Sequence, residues 1–141
     1  METTATIPTD QPATWQLDAA SALSVLRMLA GGSTWVAPRL SWRTFGLGEL
    51  RGGAPAVLVS RLFGVRDLVL GAAVKHPNPD VRRAALQVGV AVDAVDIVST
   101  LLAVRRGAPK ATLLLVAGGA ALFVGLGLAA LADEGRTAST G

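Results

Sequence analysis

Cysteine is absent from the chain, which removes disulfides, thiolate zinc sites, iron–sulfur clusters and a cysteine nucleophile from consideration. There is one histidine, His76, so a bis-histidine haem cannot form within a single chain. Charge is scarce: 16% of residues are charged, against about 25% in a typical soluble domain. Aromatic residues make up only 4%. In their place stand aliphatic side chains and small residues, with 51% hydrophobic residues, 16 glycines and a mean hydropathy of +0.50. This is poor material for a core in water and good material for helices packed closely in lipid. One domain is expected for 141 residues. The net charge of +3 falls mostly in short loops flanking apolar runs, which suits anionic lipid head groups. A nucleic-acid-binding protein would instead gather its charge on one soluble face.

The chain divides into four apolar runs. Met1–Thr14 is polar, without Lys or Arg, and lacks the basic start of a signal peptide; it reads as a disordered tail. The first span, about 17–38, opens with Asp18 where a helix dipole favours an anion. Its Ala20, Ser24, Arg27, Gly31 and Thr34 follow 4-3-4-3 spacing and make one small or polar stripe. Arg39–Gly53 alternates arginine with Leu40, Trp42, Phe45, Leu47 and Leu50. It reads either as a short helix in the head-group layer or as a basic loop interrupted by glycines. The second span, about 55–75, gathers Arg61, Gly64, Asp67 and Gly71 on one arc, with Arg66 on another side. Asn78, Pro79 and Asp80 are N-cap, first-turn proline and first-turn acid of a third helix, about 82–105. Along it Gly89, Asp93, Asp96, Thr100 and Ala103 make a second polar stripe. The fourth span, about 111–132, is uncharged and carries Ala117, Ala121, Gly125 and Ala129 at small-xxx-small spacing. Residues 133–141 read as a flexible polar tail, which leaves 15–132 as the membrane domain.

The strongest signal is Asp93-Ala-Val-Asp96 inside the run Ala84–Val104. A carboxylate at mid-membrane costs roughly 2.5–3.5 kcal/mol on insertion scales, so it needs a partner. Arg27, Arg61, Arg66, Asp67, Asp93 and Asp96 all fall within roughly 6 Å of the midplane at about 1.5 Å rise per residue. They form a candidate intramembrane charge layer. The favoured reading is ion pairing that fixes helix register and neighbour choice, with Arg27 and Arg61 as partners of Asp93. The rival reading is a proton, ion or solute site near Arg66 and Asp96. Gly31, Gly64, Gly71, Gly89 and Gly125 are the candidate helix-packing glycines. Gly125-Leu-Gly-Leu-Ala-Ala matches a dinucleotide-type glycine pattern but lies in an apolar helix with no preceding strand, so packing is its reading. His76, beside Pro77, reads as an exposed turn residue. The two halves share no charge or glycine spacing, which argues against an inverted-repeat transporter in one chain.

Taken together, Arg27…Gly31…Pro38-Arg39…Phe45-Gly46, Arg61-Leu-Phe-Gly64-Val-Arg66-Asp67…Gly71 and Asp93-Ala-Val-Asp96 resemble a family of small bacterial four-helix membrane proteins known only as a domain of unknown function. The resemblance covers about residues 17–132 and implies a multi-span membrane fold without supplying an activity. The expected fold is thus all-α, a bundle of four transmembrane helices with a buried charged layer. Its expected location is the bacterial inner membrane, multi-pass. The connectors after the first and third spans hold six Lys or Arg and the opposite side four, which puts both termini outside the cytoplasm. No catalytic residue, metal site or cofactor is expected, and the chain reads as no enzyme. The expected partners are the lipid bilayer and a homo-oligomer or larger membrane complex, not nucleic acid. A small structural or interaction subunit is the favoured function, and a transport-type protein using the charged layer is the alternative.

Overall fold

The computed structural model describes residues 18–44 and 53–139; it is all-α, with no strand among the described residues. Helix α1 (Ala19–Val36) starts where Asp18 accepts a hydrogen bond from the Ser21 backbone N–H at 2.5 Å, the capping interaction its sequence position favours. That hydrogen bond, aided by Lys75, holds the Asp18 carboxyl below the usual carboxylate range. Pro38 disfavours helical geometry at Ala37, which ends α1, and then opens a seven-residue helix, α2 (Pro38–Thr44). The first part of the Arg-rich connector is therefore helical and Gly53 opens the next helix; Phe45, Gly46, Leu47, Gly48, Leu50, Arg51 and Gly52 lie outside the described residues. Helix α3 (Gly53–Ala73) runs back. In the following turn the Asn78 side chain accepts from the Asp80 N–H at 2.8 Å, and α4 (Pro79–Arg105) begins with Pro79 in its first turn. Gly107, at φ +101°, makes the break after α4 that a residue with a Cβ would resist.

The last stretch is one turn of helix, α5 (Lys110–Thr112), a π-helical turn at Leu113–Ala117, and α6 (Gly118–Ser139). Helix α6 runs beyond residue 132 through the segment expected as a flexible tail. Glu134 is tied to Arg82 at the start of α4 at 2.5 Å, and Asp133 pairs with Arg136 one turn on. The Arg82–Glu134 pair ties the polar end of α6 to α4.

Helices α1 and α3 make the closest pair, and α4 and α6 the next. Helix α1 also lies beside α6, while α3 meets α4 over the shortest stretch. The backbones of α1 and α4 do not touch, so these two lie diagonally opposed. Glycines explain the α1–α3 fit. A Cβ on Gly31 would lie 2.6 Å from the Gly64 carbonyl oxygen, and one on Gly64 2.7 Å from that of Gly31. Two turns away, the Ser24 hydroxyl donates to the Gly71 carbonyl at 2.7 Å. Gly89 leaves room on α4 for the Arg27 side chain.

Gly125 does not pack inside the molecule as expected: a Cβ there would meet nothing within 4 Å. The packing glycine of α6 is Gly127, where a Cβ would strike the Val90 side chain at 2.6 Å. Leu126, next to Gly125, packs half-buried against the core. The small-residue period repeats along α6 in more than one register, and only the neighbouring helices select which register is used.

The core is small and sits at one end. Leu23, Val74, Ala85, Leu86 and Ala130 close the end of the molecule where α1 begins. Elsewhere the distribution is inverted. Large apolar side chains face outward on all four long helices, with Leu29 64%, Leu62 61%, Val95 62% and Leu122 53% exposed, while Arg27 and Asp93 are each 1% exposed.

The glycine contacts set opposite signs for two alanine substitutions. Gly31→Ala forces two backbones apart and is expected to destabilise by about 1–3 kcal/mol. Gly125→Ala enters open space on a helix and is expected to stabilise by up to about 1 kcal/mol. Thermal unfolding of both variants in detergent checks the pair; equal shifts would remove the assigned α1–α3 interface.

Candidate functional site

Five of the six expected charges meet at mid-height. Arg27 projects from α1 into the centre, where its Nη1 donates to Asp67 of α3 at 3.0 Å and its Nη2 donates to Asp93 of α4. Arg66 of α3 reaches round its own helix and donates from Nη2 to Asp67 at 3.2 Å and to Asp96 of α4 at 3.0 Å. The result is an alternating chain, Asp93–Arg27–Asp67–Arg66–Asp96, that joins three helices. Arg27 lies 4.8 Å from the centroid of the Phe123 ring, which brings in α6, and Arg66 lies 5.0 Å from that of Phe63. The Nε of Arg66 is buried and has no hydrogen-bond partner among the described residues.

The stripe logic explains why these side chains meet. Ser24, Arg27 and Gly31 are buried along α1, and Gly89, Asp93 and Thr100 along α4. Two polar stripes on diagonally opposed helices can be joined only by a long side chain, and arginine has the reach.

Arg61 departs from the expectation. It is exposed, its Nε donates to the Trp35 carbonyl at 3.3 Å, and its guanidinium lies 5.7 Å from the centroid of the Trp35 ring. The arc it shares with Gly64 and Gly71 faces α1. At that height, however, α1 is ending and offers terminal carbonyls rather than a carboxylate. A cation is favoured there by the helix dipole as well as by the hydrogen bond. Asp93 therefore has Arg27 and not Arg61 as its partner.

A cavity of about 400 Å³ lies against the layer, on the side away from the apolar core. Arg66, Asp67, Asp93 and Asp96 form its charged floor. Its walls come from α1, α2, α3, α4, the π turn and α6. Spacing along the chain pointed to Arg66 and Asp96 but not to a space of this size, which depends on how far apart α3 and α4 stand. The one local signal is structural: a π turn, often found beside functional sites, contributes Leu115 and Val116 to the wall.

The chain of ion pairs predicts a specific pattern of coupling. Arg27→Ala is expected to destabilise by about 3–5 kcal/mol, because it strands the buried Asp93, whereas Asp93→Ala leaves Arg27 on Asp67 and is expected to cost less. The double variant is expected to lose much less than the sum. Asp93→Ala combined with Arg61→Ala is expected to be additive. Melting of the five variants in detergent, with the wild type as reference, reads the coupling directly, and an additive Arg27/Asp93 pair would remove this geometry.

Comparison with protein-family models, with curated proteins and with solved structures found no match.

Proposed function

We propose that the chain is a multi-pass integral membrane protein with four spans, formed by α1, α3, α4 and the continuous stretch Leu113–Ser139. The carrying observation is the inverted burial. Arg27 and Asp93 are sealed inside, while large aliphatic side chains cover the outside of every long helix. In water such a surface would drive aggregation; in lipid it is the favourable one. Two helices, Pro79–Arg105 and Leu113–Ser139, are long and apolar enough to cross a membrane on their own. Helices α1 and α3 fall short of that measure because they carry Arg27, Arg61, Arg66 and Asp67. Three of those four charges are neutralised within the molecule, so hydropathy summed helix by helix overstates their cost. The family resemblance of the sequence points to the same four-span architecture.

Within that architecture the charge layer serves assembly. Arg27 carries the reading, because it is fully buried and holds carboxylates of two other helices. Removing Arg27 strands Asp93 in a medium that cannot solvate it. The protein is on this reading a small structural or interaction subunit of the bacterial inner membrane. The end bearing Arg39, Arg43, Arg105, Arg106 and Lys110 lies in the cytoplasm. A second reading, a binding or transport-type protein, is favoured by one observation, the cavity opening onto Arg66 and Asp96.

The absence of native cysteine makes topology direct to measure. Single cysteines in place of Thr44, His76 and Ala108, treated with a membrane-impermeant maleimide on intact cells, report three connectors. H76C is expected to label from outside, and T44C and A108C only after permeabilisation. Labelling of T44C together with H76C would reduce the protein to two spans, and release of the chain by alkaline carbonate would remove the membrane assignment altogether.

A further inference from the structure

The layer is not balanced. Arg27 and Arg66 face Asp67, Asp93 and Asp96, two guanidiniums against three carboxylates, which leaves one negative charge in excess. Arg61 does not contribute, because it is held at Trp35. The excess falls beside the cavity, since three carboxylates and one guanidinium line it while Arg27 stays behind them.

The hydroxyls of the wall have the same bias. Thr34, Ser60 and Thr100 donate their protons to the carbonyls of Ala30, Ala56 and Asp96 in their own helices, at 2.8, 3.0 and 2.7 Å. Toward the cavity they therefore present acceptor oxygens. The remaining wall is largely apolar and carries the rings of Trp42, Phe63 and Phe123, surfaces that attract cations.

The way in is also visible. Val59 and Phe63 of α3 and Ser99 and Ala103 of α4 line the cavity and are exposed on the outer surface, where these two helices stand apart. On the membrane reading this gap faces lipid, so a molecule dissolved in the bilayer reaches the charged floor without crossing the basic rim.

We infer that this cavity binds an organic monocation with an apolar body, entering from the lipid between α3 and α4 and setting its charge beside Asp96. The inference rests on the second reading above and gives it a ligand class. A proton on one carboxylate would also cancel the excess charge, but it would leave about 400 Å³ of ring-lined space unfilled.

Tetraphenylphosphonium and tetraphenylborate have the same shape and opposite charge, and they test the inference by calorimetric titration of the purified full-length protein in detergent. The phosphonium is expected to bind at least about tenfold more tightly than the borate. Asp96→Asn is expected to weaken phosphonium binding by about tenfold or more, and Asp18→Asn, at the far end of α1, to leave it unchanged. Gly119→Trp, which fills the cavity from α6 without altering charge, is expected to abolish it. Equal binding of the two ions, or full binding by Asp96→Asn or Gly119→Trp, overturns the inference. Wild-type protein supplies the ion comparison even if a variant fails to fold. Absence of phosphonium binding to a protein that still requires detergent for extraction sinks the ligand class alone, whereas release by carbonate sinks the membrane reading beneath it.

Discussion

The whole arrangement depends on one guanidinium. Arg27 leaves α1, crosses the centre of the molecule and reaches Asp67 on one neighbour and Asp93 on the helix diagonally opposite. No backbone contact joins α1 to α4, and this side chain is a direct link between them. It also makes demands on its surroundings. Gly89 must lack a side chain where the guanidinium passes, and Phe123 supplies a ring face on the remaining side. The glycine contacts between α1 and α3 then fix the height at which Asp67 is presented. Ion pair, small residues and aromatic ring form one mutually dependent set.

The sequence carried much of this because polar residues in an apolar chain are conspicuous. The 4-3 spacing of Ser24, Arg27 and Gly31, and of Gly89, Asp93 and Asp96, defined the inward stripes without knowledge of the neighbours. The Asn78-Pro79 turn and the Asp18 cap were equally local and equally readable. Partner choice was not local. Arg61 and Arg27 looked equivalent by depth, and only the ending of α1 at Trp35 separates them. On α6 the small residues repeat in overlapping registers, so Gly125 and Gly127 could be ranked only once Val90 was seen opposite one of them. The cavity left no sequence mark, because a void is a property of spacing between helices rather than of any residue.

A charge layer buried among aliphatic helices serves two ends at once. Fully paired groups specify which helices are neighbours, since any other arrangement strands a charge in a poor solvent. An unpaired remainder, here one carboxylate's worth of charge and the buried Nε of Arg66, leaves the same layer able to respond to something outside the chain. The two roles separate along the layer. The Arg27 half is closed, and the Arg66 half meets open space.

The apolar cluster of Leu23, Val74, Ala85, Leu86 and Ala130 gives the interior a blind end. The hollow beyond the charges is a cul-de-sac rather than a conduit, and whatever enters it departs by the same door while this conformation holds. On the proposed membrane reading, throughput from one face of the bilayer to the other would demand opening this apolar cluster. Occupancy without passage costs nothing of that kind. On the proposed binding reading the cavity is a receptacle, closed beneath its charged floor by the apolar cluster.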